Sequence, residues 1–306
     1  MNVHTTPAAG SSFEPHGEPH ALLSTPRPLY WSVRRELWES RSIYLAPLIV
    51  AVFVLFGSFL ATLSAGAMRG RAGSSVTAKQ EPIVAPIKMA PAPIMLTTFL
   101  VGFLYCFDAL YGERRDRSIL FWKSLPVSDV TTVLSKASIP LVVLPLIGLL
   151  LGIAAQLLLL PAAIAVSLGS GVSPLRLWDL LPEPLIMVYG LTVHALWFAP
   201  IYGWLLLVSA WARRAPLLWA LLPMVAVSAI ERITFNTTAF LSMLQYRMTG
   251  AMKEAFTATG DKSGNFQLHH VDPLNFLSTP GLWAGLIFTA ACLAAAVRLR
   301  RNREPI

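Results

Sequence analysis

Charge is what this sequence has least of. Asp, Glu, Lys and Arg make up 13% of its 306 residues, about half the roughly 25% of an ordinary soluble domain. That deficit argues against a water-exposed globule and for an integral membrane protein. Cysteine is scarce as well. Cys106 and Cys292 are the only two, and each lies inside an apolar run. Neither belongs to a spaced pair of the metal or redox type, so both read as small buried hydrophobes and no metal site is expected. Catalytic signatures are missing: there is no Gly-x-x-x-x-Gly-Lys-Ser/Thr loop, no His-Glu-x-x-His, no Gly-x-Ser-x-Gly and no mid-span pair of carboxylates. The chain is therefore not expected to be an enzyme or to hold a cofactor itself. Alternating strand patterns are absent, which argues against a membrane barrel. No basic stripe with interleaved aromatics occurs, so the net charge of +8 does not point to nucleic acid. Residues 1–28 have no apolar core, so they read as a disordered cytoplasmic tail rather than a secretory signal, with His4, His16 and His20 solvated.

What is abundant is apolar sequence in runs of bilayer length. Hydrophobic residues make up 55% of the chain, and a span needs roughly 20 of them in succession. Six runs qualify, at about 43–65, 93–111, 134–160, 184–211, 215–230 and 281–297. Backbone groups in lipid must be satisfied within the segment, so the runs are expected to be helices. The fold class is an all-α integral membrane protein, a single six-span domain over 29–303. Pro140 and Pro145 are expected to bend the third span, because each removes a helix hydrogen bond.

Six spans put both termini on one side, and Lys and Arg decide which. With the termini inside, inner segments hold fifteen of these residues and outer segments nine. The termini are therefore expected in the cytoplasm, with the basic residues at the spans' inner ends against anionic headgroups.

Two further segments look amphipathic. In "YWSVRRELWESRS", Tyr30–Ser42, Val33, Leu37 and Trp38 share a helical face, while Arg34, Arg35, Glu36 and Glu39 lie largely elsewhere. With Trp31 and Trp38 at headgroup level, the segment reads as an interfacial helix touching membrane lipid, or as a simple extension of the first span. After the fifth span, Phe240, Leu244, Met248, Met252 and Phe256 recur every fourth residue. That stripe predicts an external helix over 236–256, capped by Asn236 or Thr237. The stretch beyond it, with the adjacent His269 and His270, reads as an exposed loop. Few polar residues interrupt the spans. Gln156 and His194, with Tyr189 and Trp197 near the latter, either line a path or are packed and satisfied by neighbours. With so few polar groups, the cargo expected of such a path is amphipathic or lipid-like.

The sharpest feature joins spans two and three: "YGERRDRSILFWKSLPVSD", Tyr111–Asp129. Six charges fall between Glu113 and Lys123, and Ile119, Leu120, Phe121 and Trp122 follow one another. Gly112 and Pro126 break the chain on either side. Glu113 and Asp116 suit the start of a short helix and Lys123 its end. Ser128 or Asp129 caps the next one. Apolar side chains cover more of this helix than a lipid surface needs. Arg beside aromatics is typical of protein-interface anchors; a lipid-only interfacial helix is the plainer reading.

With its six spans, interfacial helix and this connection, the chain resembles the membrane subunits of the ABC type-2 permease family. The resemblance covers about residues 30–303 and is most specific over 108–129. It implies that Glu113, Arg114, Arg115, Asp116, Arg117, Ser118, Ile119, Phe121, Trp122 and Lys123 form a coupling segment docked on a separate ATPase subunit. Tyr30–Ser42, with Trp31, Arg34, Arg35 and Trp38, becomes the connecting helix. It further implies a second permease copy, most simply a homodimer, two copies of the ATPase, and ATP and Mg2+ held in those partners. The path would lie at the dimer interface, lined by spans two and five, and transport would be export across a bacterial inner membrane. The first external loop, 68–93, is long for the family. A membrane scaffold or assembly factor is the main alternative; a membrane-embedded enzyme would need a catalytic set that the spans do not show.

Overall fold

The structure, a computed structural model, describes residues 28–67, 76–123, 127–169, 182–256 and 271–302. The N-terminal tail, the 257–270 stretch with His269 and His270, and 124–126 with Pro126 lie outside them. The described elements are helices, and the only pairing of extended backbone among them is an isolated bridge between Phe256 and Val271. Helix α1 spans Pro28–Glu39, α2 Ser42–Ala67, α3 Val76–Met89 and α4 Pro91–Asp108. Two short helices follow, α5 Tyr111–Arg115 and α6 Ser118–Lys123. Then come α7 Asp129–Ser138 and α8 Leu144–Leu168. The remainder are α9 Pro182–Trp211, α10 Pro216–Phe235, α11 Ala239–Thr249, α12 Ala251–Ala255, α13 Pro273–Ser278 and α14 Pro280–Asn302.

Among the described residues six runs are long and apolar enough to cross a membrane: Ser42–Ala65, Ile83–Arg115, Asp129–Leu168, Pro184–Trp211, Pro216–Phe235 and Pro280–Asn302. Their outward faces are apolar too; Phe53, Leu104, Leu150, Val225 and Ile287 are all more than three-fifths exposed. A soluble monomer rarely presents so much contiguous apolar surface. The chain has the build of an all-α, multi-pass membrane protein.

The third run starts earlier and ends later than its hydropathy indicates, and its first two prolines fall at an irregular turn. Ile139–Val143 is a single π-turn between α7 and α8, where the Leu144 N–H reaches back to the Ile139 carbonyl. Pro140 falls inside this widened turn, which accommodates its missing donor. Pro145 follows directly on that turn and likewise brings no N–H to the helix ladder.

Part of the 68–93 stretch, expected as a loop, is helix α3. Its Pro82 and Pro86 argue against a helix, but packing decides otherwise. Ile83 and Ile87, four apart, are buried against Ala51, Ile94, Ala155 and Leu159 of α2, α4 and α8. On the far side of the chain α9 and α14 approach closely at Gly203. A Cβ there would stand 3.2 Å from Thr289 Cγ2 and 3.3 Å from its Cα.

The helix expected over 236–256 also differs from its expectation. It breaks at Gly250 into α11 and α12, and no residue of α11 is buried. Met248 of the apolar stripe is exposed, while Ala251, Ala255 and Phe256 pack with Ile186, Trp197, Phe276 and Leu282. Neither Asn236 nor Thr237 caps it. The Glu231 carboxylate, reaching over from α10, accepts from the backbone N–H of Ala239 (2.6 Å) and Phe240 (2.9 Å). The carboxylate sits where the helix dipole favours it.

Spans α9 and α10 are joined by a tight turn through Ala215, whose backbone is left-handed (φ 45°, ψ 68°). A Cβ in that region costs about 1–2 kcal/mol, and the extra freedom of glycine in the unfolded chain offsets part of the relief. Ala215→Gly is therefore expected to stabilise the purified protein by about 0.5–1 kcal/mol. A thermal unfolding midpoint no higher than wild type in the same detergent contradicts this.

Candidate functional site

At one end of the bundle six charged side chains from four helices are drawn together. Glu113 of α5 is 5% exposed and is the hub. It pairs with Lys136 of α7 (3.1 Å), Arg35 of α1 (3.5 Å) and, in a short contact, Arg300 of α14. Glu36 of α1 takes both carboxylate oxygens to Lys136 Nζ at 3.0 Å. It also accepts from Arg35 (2.7 Å) and from the Tyr105 hydroxyl of α4 (2.7 Å). Arg300 extends the set to Asp129 at the start of α7 (3.1 Å). In this inner set three carboxylates face three cations, so it is neutral; the half-exposed Glu39 touches only its rim, 3.9 Å from Arg35. Neutrality matters because an isolated charge taken out of water costs several kcal/mol. Burial by itself would raise the Glu36 carboxyl. The Lys136 ammonium, with the hydrogen bonds from Arg35, Tyr105 and Lys136, outweighs it and holds Glu36 below its ordinary range.

The next residue faces the other way. Arg114, 3% exposed, donates through Nη2 to the carbonyls of Ser209 (3.0 Å) and Ala212 (2.5 Å). These belong to the last turn of α9 and the residue after it, where carbonyls lack helical donors and a cation is favoured. Ser209 completes the junction. Its hydroxyl donates to the Phe107 carbonyl (2.9 Å) and accepts from the N–H groups of Leu110 (3.0 Å) and Tyr111 (2.9 Å). Those groups lie where α4 gives way to α5, so one serine serves the break in the helix. Glu113 and Arg114 thus tie the 107–114 segment to α1, α7, α9 and α14 together.

Beyond Arg114 the chain turns outward. The single helix expected over 113–125 is two, because Arg117 adopts a left-handed backbone (φ 58°) that ends one helix before the next begins. Glu113, Arg114 and Ile119 are buried, Ser118 is half-buried, and Arg115, Asp116, Arg117 and Phe121 are exposed. Trp122 and Lys123 lie in α6, but their side chains are outside the described set. Leu120, 59% exposed, joins Phe121 in an apolar step next to the charged one. Arg115 is steadied by Asp116 (3.0 Å) and lies over the Tyr111 ring at 5.7 Å. The segment has two sides: a buried one made of ion pairs and an exposed one of mixed charge and apolar surface.

The helix α1 is turned differently from its expected interfacial pose. Val33 and Leu37, half-buried, pack against Ile43, Ile139 and Leu144. Glu36, assigned to the polar face, points into the protein. Trp31, Arg34 and Trp38 form the outward face, and Arg35 leans towards the cluster.

The four residues considered for a path do not converge on one cavity among the described residues. His194 Nε2 is 3.2 Å from the Tyr202 hydroxyl, and its ring packs against Phe99 and Phe198. The Tyr189 hydroxyl donates to the Ala255 carbonyl at 3.0 Å. Trp197 is fully buried; its Nε1 donates to the Arg247 carbonyl at 2.8 Å and its ring lies under the Arg247 guanidinium. Tyr189 and Trp197 therefore anchor the α11–α13 cap. Gln156 is buried in α8, its Nε2 without a hydrogen-bond partner. Among the described residues no group of three or more His, Cys, Asp or Glu is placed to hold a metal.

Glu36, Tyr105, Asp129, Lys136, Ser209 and Arg300 are the members of this site that sequence reasoning missed. Lys136 and Arg300 read as orienting charges and Glu36 as part of a polar face. The available signal was the sign balance: carboxylates before span one and after span two, against basic residues at the ends of spans three and six. No protein-family model, no curated protein and no solved structure matches this chain.

Proposed function

We propose that the chain is the membrane-spanning permease subunit of an ATP-binding-cassette transporter of the type-2 family, working as an exporter in a bacterial inner membrane with its termini in the cytoplasm. One observation carries the reading: the two-sided segment 107–121. A relay between an external motor and a helix bundle needs a face that a partner can push and a rigid attachment behind it. The exposed Arg115, Asp116, Arg117, Leu120 and Phe121 supply the first. The ion pairs of Glu113 and the carbonyl contacts of Arg114 supply the second, so a push is shared among spans two, three, four and six. A membrane scaffold has no need of that combination.

The motor is a separate ATPase subunit, in two copies, which holds ATP and Mg2+. Six spans are half of what such transporters use, so a second copy of this chain completes the path. The π-turn at Ile139–Val143 gives span three a compliant point just behind the attachment.

The test is to ask whether a neighbouring reading frame encodes an ATP-binding-cassette protein and whether that protein co-purifies with this chain, followed by ATPase assays in vesicles. Phe121→Ala combined with Trp122→Ala is expected to reduce ATPase binding and its stimulation at least tenfold while leaving the unfolding midpoint of the permease unchanged. Normal binding and stimulation by the double variant would remove the coupling assignment. Absence of any ATPase partner would favour the scaffold.

A further inference from the structure

The outward face of α1 carries a cation that the ionic cluster does not use. Arg34 lies between Trp31, three residues before it, and Trp38, four after it, which puts all three on one helical face. Its Cζ is 5.3 Å from the Trp31 ring centroid and 4.8 Å from that of Trp38. Tyr30 meets Trp31 edge to face at 5.5 Å. These aromatics are unusually open, with Trp31 57% and Trp38 70% exposed, whereas Trp197 of the core is fully buried. Arg35 next door spends its charge on Glu36, Glu39 and Glu113. Arg34 makes no ion pair among the described residues, and neither does the exposed Arg41 four residues past Leu37.

We infer that Trp31, Arg34 and Trp38 form a binding site for the headgroup phosphate of an anionic phospholipid. The contacts with the two indoles use the charge of the guanidinium over their rings and consume none of its N–H donors. That planar fork matches two oxygens of a phosphate diester. Helix α2 begins three residues after α1 ends, and its Tyr44, Leu45, Leu48, Ile49, Val52 and Phe53 are exposed. An acyl chain lying along α2 therefore has its headgroup at α1. Indoles favour this same depth, where one edge is wet and the body apolar. With Arg41 nearby and no carboxylate paired to either arginine, the face is positive, so a headgroup of net negative charge is preferred to a zwitterionic one. The inference requires the chain to lie in a membrane but is independent of whether it transports anything.

The experiment uses the full chain in nanodiscs of phosphatidylcholine, with and without phosphatidylglycerol, read by native mass spectrometry of retained lipid and by the thermal midpoint. Wild type is expected to retain phosphatidylglycerol selectively and to melt higher in its presence. Arg34→Gln is expected to hold it about five-fold less tightly, in line with one basic residue at a membrane surface. The pair Trp31→Ala and Trp38→Ala, which keeps the charge, should weaken retention as well. All variants should melt with wild type in phosphatidylcholine alone, since these side chains face away from the core. Undiminished phosphatidylglycerol retention by Arg34→Gln overturns the site. So does equal stabilisation by inorganic phosphate in phosphatidylcholine discs, which would make it a general anion contact.

Discussion

Glu113→Gln is expected to lower the unfolding midpoint of the purified chain more than any other single isosteric change in it. The substitution removes little volume, so packing is not the cause. It removes the negative charge that Lys136, Arg35 and Arg300 all face and leaves two carboxylates against three cations at a site where Lys136 and Arg300 are almost fully buried. Breaking a buried pair from one side costs about 3–5 kcal/mol, because the surviving charge stays buried. The second half of the prediction separates charge balance from the particular contact. Lys136→Met on the Glu113→Gln background restores equal numbers of charges and is expected to recover a large part of the loss, although Lys136→Met alone is destabilising. That non-additivity is what a shared network produces. The four proteins are compared by thermal unfolding in one detergent. Additive losses, or a Glu113→Gln midpoint equal to wild type, would show that the cluster is not the clamp described above.

Arg114→Ala is expected to separate attachment from docking. The side chain points into α9, away from the exposed ledge, and its loss orphans the Ser209 and Ala212 carbonyls of contacts at 3.0 and 2.5 Å. Hydrogen bonds from a charged donor contribute about 1.5–3 kcal/mol, so the chain is destabilised but, with the Glu113 cluster and the Ser209 junction intact, is expected to fold. Under the proposed function the ledge of Arg115, Asp116, Arg117, Leu120 and Phe121 still meets its ATPase, whereas the push no longer reaches span four firmly. Binding of the ATPase within twofold of wild type, with transport-linked ATP turnover down tenfold or more, is the expected pattern. If binding falls in parallel with turnover, the buried side and the exposed side are one structural unit and the relay reading fails.

The legibility of this protein follows the range of the interactions. Spans were readable because apolar length is a property of contiguous residues, and Ser42–Ala65 or Pro184–Trp211 need no partner to be recognised. Helix α3 was not, because only the burial of Ile83 and Ile87 between α2 and α8 overrides its prolines. The cap of α11 was missed for a similar reason. Its acceptor, Glu231, lies eight residues before Ala239 on another helix, out of reach of a local capping rule.

The amino-acid sequence by itself determined that the chain is helical, that six runs are long and apolar enough to cross a membrane, and that the 111–129 connection is the unusual one. Each of these depends on composition within one window. Only the tertiary structure decided what the charges in that connection do. Glu113 and Arg114 are adjacent in the chain, yet one turns to α1, α7 and α14 and the other to the end of α9. Glu113 meets Arg300 across 187 residues of sequence. Whether a charge is solvated or buried depends on partners brought from such distances, and a charge is stable in the interior only where the fold has gathered its opposite.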